Sequence, residues 1–90
     1  MNAKLCVAMK KVKHEVWINN EGLTTLCFAD ERGNDCRRLL LEEEGSKIIN
    51  VIYAESHFEA MTLYYKFIGF GEYNTDFEIY KIPYDQINNE

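Results

Sequence analysis

Ninety residues, 47% of them hydrophobic and 28% charged, with a single proline, specify one compact globular domain over residues 1–90 and exclude a disordered or fibrous chain. A folded chain of this size removes about 60–65% of its unfolded surface from water, which leaves room for one core and no second domain. Ten basic against fifteen acidic residues give a net charge of -5, which opposes condensation onto phosphate backbones and argues against a nucleic-acid partner.

The charge is uneven. Residues 1–20 carry Lys4, Lys10, Lys11 and Lys13 against Glu15, a net of +3, and the rest of the chain carries -8. Four lysines spread over ten positions read as a solvated edge rather than an anion-binding tail. Cys6, Cys27 and Cys36 are odd in number and lack Cys-x-x-Cys spacing, so free thiols in a reducing, cytoplasmic setting are expected. The apolar stretch Leu5 to Met9 is too short for a signal-peptide core or a bilayer crossing, and no membrane association is expected. Short flexible ends are expected at about residues 1–4 and 85–90.

In chain order, Val12, His14, Val16 and Ile18 alternate with Lys11, Lys13, Glu15 and Trp17, the period of a half-buried strand with His14 on the core side. After the Asn19-Asn20-Glu21-Gly22 turn, the stretch Leu23 to Phe28 favours a second strand and a hairpin. Leu23, Leu26 and Cys27 also fit helical spacing with Asn20 as cap, so a helix competes there. Asp35 to Glu44 lacks β-branched residues, follows Asn34 as a cap and stops at Gly45, which predicts a helix burying Cys36, Leu39 and Leu40. From Lys47 to Ala54 both alternating rows are apolar except at Asn50, as in a strand from the interior of a sheet.

Ser56-His57-Phe58-Glu59 has the form of a capping box, in which the Ser56 hydroxyl accepts from the Glu59 amide and the Glu59 carboxylate returns to the Ser56 amide. The predicted helix runs from His57 to about Phe67. Gly69 then suits a left-handed ending, with Phe70 packing back on Tyr65. Leu63 and Phe67 lie opposite the stripe formed by Phe58, Met61, Tyr65 and Ile68, so this second apolar surface is expected either under the first helix or, where that helix does not cover it, in a weak two-fold homodimer through Leu63. Phe77 to Ile82 alternates again and is predicted as a last strand ended by Pro83. The order β-β-α-β-α-β gives an α+β fold, a four-stranded mixed sheet with two helices on one face.

The chemistry-bearing candidates are sparse. His14, Cys27, Cys36 and His57 have no chelating spacing, so neither metal nor cofactor is expected. His57-x-Glu59 is half of a zinc-deaminase signature whose Pro-Cys-x-x-Cys partner is missing. No Gly-x-Ser-x-Gly elbow is present, and Gly69-Phe70-Gly71 reads as a helix ending rather than a nucleotide loop.

Two features point outward. Glu42, Glu43 and Glu44 crowd the end of the first helix, where the macrodipole disfavours carboxylates by about 0.3–1 kcal/mol each. They form either a solvated face with an Arg38 to Glu42 pair or an acidic patch for a basic partner. Ten of the twelve aromatics, all six tyrosines among them, lie between Tyr53 and Tyr84, where Glu72, Tyr73, Asp76, Glu78, Tyr80 and Tyr84 mix carboxylates with phenols. The functional expectation is a non-enzymatic protein-interaction module using Glu42, Glu43, Glu44, Glu72, Tyr73 and Asp76. Size and charge suggest an immunity or antitoxin-like inhibitor of a basic toxin. The alternative is a small-molecule binding protein or minor enzyme with a pocket between the sheet and the second helix, lined by His57, Tyr64 and Tyr73.

The run Ala54-Glu55-Ser56-His57-Phe58-Glu59-Ala60-Met61-Thr62-Leu63-Tyr64-Tyr65, with Gly71-Glu72-Tyr73 and Pro83-Tyr84, resembles a family of small bacterial proteins, mostly uncharacterised. The resemblance spans roughly residues 15 to 84. It implies a bacterial, single-domain protein and assigns no activity, cofactor or site residue.

Overall fold

The computed structural model describes residues 11–87. Lys4, Cys6 and Lys10, which belong to the basic arm and the thiol set, lie outside the described residues. The chain divides into two compact units, Lys13–Tyr53 and a second formed by Ala54–Glu90 with Met1–Val12.

The first unit is built on a three-stranded antiparallel sheet in the order β2-β1-β3, with β1 at Val12–Ile18, β2 at Thr24–Phe28 and β3 at Lys47–Ala54. The hairpin between β1 and β2 closes because the Asn19 side-chain oxygen accepts from the Glu21 and Leu23 amides at 2.9 and 3.0 Å. Gly22 takes φ 83 in the same turn, a conformation that strongly favours glycine. Its register sets Glu15 opposite Cys27 and Trp17 opposite Thr25. Helix α1, Asn34–Glu42, follows a 3₁₀ turn at Glu31–Gly33 whose Arg32 amide is capped by Asp30 at 3.0 Å. It sets Leu40 and Cys36 against Trp17 and Cys27, which form the core of this unit.

The second unit contains helix α2, His57–Ile68, a loop, a 3₁₀ turn at Glu78–Lys81 and the short helix α3, Tyr84–Ile87. Ser56 Oγ accepts from the Glu59 amide at 3.1 Å, the expected cap. Gly69 ends the helix at φ 80, and the Phe70 amide donates to the Tyr65 carbonyl at 2.9 Å while the two rings meet at 5.5 Å.

Several expectations are corrected. The four-stranded mixed sheet with two helices on one face does not form, because Phe77–Ile82 is not a strand. Its amides close locally, Tyr80 on the Phe77 carbonyl at 3.1 Å and Ile82 on Ile79 at 3.2 Å. A 3₁₀ turn eclipses residues three apart, which brings Phe77 and Tyr80 together and pairs Glu78 with Lys81. Among the described residues β3 is therefore an edge and not an interior strand, and Ile48, Ile49, Val51 and Tyr53 are exposed. The central strand is β1, with Glu15 and Trp17 buried as well as His14 and Val16, so it is not half-buried as its alternation suggests. Residues 24–28 are strand, which excludes the competing helix. In α1, Leu39 is 60% exposed, and Arg38 pairs with Asp35. The Glu59 carboxylate returns one residue further than a standard box, to the Glu55 amide at 2.7 Å. No described helix is long and apolar enough to cross a membrane.

Candidate functional site

An aromatic cluster is gathered around Tyr73 in the second unit. Its ring meets Tyr65 edge-on at 5.2 Å, Phe58 at 5.8 Å and His57 at 6.4 Å. These partners sit on α2, where Phe58 and Tyr65 recur seven residues apart, two turns of the helix, on one side. His57 also packs on Tyr80 at 4.4 Å, and burial pushes its imidazole below its ordinary value. Tyr80 in turn meets Phe77 at 5.5 Å.

Beside this cluster lies an open cleft of about 440 Å³ lined by Tyr73, Asn74, Thr75, Asp76, Phe77 and Tyr80. The loop is shaped locally, since Thr75 Oγ1 accepts from the Phe77 amide at 3.1 Å. Its far end is tied to the start of α2, where the Glu55 carbonyl accepts from the Tyr84 amide at 2.7 Å. Phe77 is 62% exposed and Tyr80 37%, so ring faces remain open to a ligand. Glu72, Asp76 and Glu78 are exposed around them, while Lys81 reaches over the Phe58 ring at 5.3 Å. Ring faces next to carboxylates are a surface for cationic groups, because the quadrupole and the charge attract the same partner.

The expected residues are therefore divided. Glu72, Tyr73 and Asp76 share this loop, whereas Glu42, Glu43 and Glu44 lie exposed at the end of α1 and the turn after it. Glu43 is engaged there by Asn19 at 3.5 Å and Ser46 at 3.4 Å. Of the alternative pocket, His57 and Tyr73 are brought together. Tyr64 meets Tyr65 at 6.3 Å and does not line the cleft.

A second cleft, about 390 Å³, lies in the first unit between α1 and the sheet and is lined in part by Glu15, Trp17, Arg37, Arg38, Leu41 and Ile48. The buried Glu15 carboxylate accepts from Trp17 Nε1 at 3.0 Å and lies 3.9 Å from Arg37. Sequence alternation missed this set by assigning Glu15 and Trp17 to the solvent row. A tryptophan two residues from a carboxylate within a strand was the available signal, since both side chains point to one face.

Among the described residues, no group of three or more His, Cys, Asp or Glu side chains could hold a metal ion. Cys27 and Cys36 are free thiols. No family model matches the chain, and no curated protein or solved structure matches it either, so only its own chemistry bears on function.

Proposed function

We propose that the protein is a non-enzymatic interaction module whose 72–80 loop receives a cationic side chain of a protein partner. The supporting observation is the convergence of Tyr73, Phe77 and Tyr80 with Asp76 in one open cleft. Tyr73 is held by three aromatic neighbours on α2, so its ring is ordered before any partner arrives, and little rotamer entropy is lost on binding. The charge of -8 beyond residue 20 favours encounter with a basic protein. The cleft lining holds one carboxylate and phenols but no paired acid and base, which favours recognition over catalysis.

Calorimetric titration with a capped tetra-arginine peptide tests the reading. Phe77→Ala removes a largely exposed ring, so the fold is retained while one cation–π face is lost, and affinity should fall about tenfold. Asp76→Asn should weaken binding and flatten its salt dependence. Equal affinity of the wild type and both variants would contradict the proposal.

A further inference from the structure

The edge strand β3 combines features that protected edges avoid. Natural edges are blunted by charge, proline or bulges. Between Lys47 and Ala54 the only charge is at Lys47, no proline occurs, and four of the eight residues are β-branched. One face of the strand carries Ile49, Val51 and Tyr53 at 37%, 39% and 54% exposure. The strand has the apolar character of an interior strand, yet among the described residues no strand pairs with its outer side.

The occupant that fits is β3 of a second copy. A two-fold axis normal to the sheet pairs a strand with itself antiparallel and keeps each residue opposite one of its own parity, hence on the same face. With the axis at Val51, Ile49 faces Tyr53 of the partner subunit and Val51 faces Val51 of the partner subunit, an aromatic to β-branched pair and a β-branched pair. The same register sets Lys47 opposite Glu55 of the partner subunit, and the symmetry makes this ion pair twice. Glu55, one residue past the strand, has a carboxylate that is 36% exposed and 3.9 Å from Lys11. Lys47 to Glu55 is thus a self-complementary segment in both charge and side-chain shape.

We infer that the chain forms a weak two-fold dimer through antiparallel pairing of β3 about Val51, giving a six-stranded sheet. One strand pair is a small interface beside the roughly 1,200–2,000 Å² of stable complexes, so the dimer is reversible and concentration-dependent.

Sedimentation from micromolar to millimolar protein tests this. The wild type should show a monomer–dimer equilibrium, and Val51→Lys, at an exposed position, should be monomeric throughout with unchanged far-UV circular dichroism. Lys47→Glu should weaken the dimer, and the double exchange Lys47→Glu with Glu55→Lys should restore it, an arm that stands even if Val51→Lys does not fold. A wild type monomeric at millimolar concentration would overturn the inference. So would dissociation by Leu63→Lys but not by Val51→Lys, or a double exchange that fails to restore association.

Discussion

The Ser56 hydroxyl satisfies one of the four N–H groups that open α2, and the Glu59 carboxylate turns back to the Glu55 amide. Glu59 feels opposing influences: burial raises its pKa, but the Lys11 ammonium at 2.9 Å and the Glu55 amide more than offset this and hold it below the usual range. Ser56→Ala should destabilise the protein by about 0.5–2 kcal/mol, read as a lower denaturant midpoint at unchanged slope. A second residue-scale expectation concerns Cys27. Burial, with the neighbouring Cys36 thiol adding to it, pushes its pKa up to about 12 from an ordinary 9.0. A thiol whose folded pKa is raised contributes stability that is complete below pH 9 and is lost as pH rises toward 12. The denaturation midpoint of the wild type should therefore fall across that window, and Cys27→Ala, though less stable at neutral pH, should show a shallower decline. In the native protein at neutral pH, a thiol reagent should modify Cys27 only at the rate of opening.

Gly33 shows how an element depends on a single missing atom. A Cβ there would lie 1.9 Å from the Phe28 carbonyl oxygen, so the turn from β2 into α1 closes only around a hydrogen. Gly33→Ala should cost about 1–3 kcal/mol by overpacking, measured by chemical denaturation. By contrast, α1 has no basic residue in its last turn, and Glu42→Lys should stabilise the protein by about 0.3–1 kcal/mol, with a higher thermal midpoint. The hairpin and α2 with both of its ends were legible in the sequence because their signals are local: the Asn19 to Gly22 turn, the Ser56 cap, the Gly69 and Phe70 ending. The Asn34–Glu42 helix was legible from its lack of β-branched residues, but its expected ends were wrong: Asn34 lies inside the helix after Gly33 as cap, and the helix stops before Glu43 rather than at Gly45. Phe77–Ile82 was misread because alternation cannot reveal that Tyr80 packs on His57 and Phe77 while the segment's amides close locally as a 3₁₀ turn. β3 was misplaced for a separate reason, since its two apolar rows read as an interior strand whereas Ile48, Ile49, Val51 and Tyr53 are exposed. Within the candidate site, Glu72, Tyr73 and Asp76 were visible as a mixture of charge and phenol, but their gathering around α2 depends on long-range ring contacts that no spacing encodes.

On the scale of the whole molecule, the end of α1 and the 72–80 loop both present exposed carboxylates, and the loop sets Asp76 in one cleft with Tyr73, Phe77 and Tyr80. Charge alone would attract a basic partner to both, with an affinity that falls steeply with salt, whereas ring faces retain part of theirs at high ionic strength. The most direct measurement is a backbone amide chemical-shift titration of the full chain with capped tetra-arginine peptide at low and high salt. The account predicts saturable shifts at Tyr73, Asp76, Phe77 and Tyr80 that persist at high salt, with smaller shifts at Glu42, Glu43 and Glu44 that vanish there. Shifts confined to the end of α1, or distributed over the acidic surface without saturation at the loop, would contradict it.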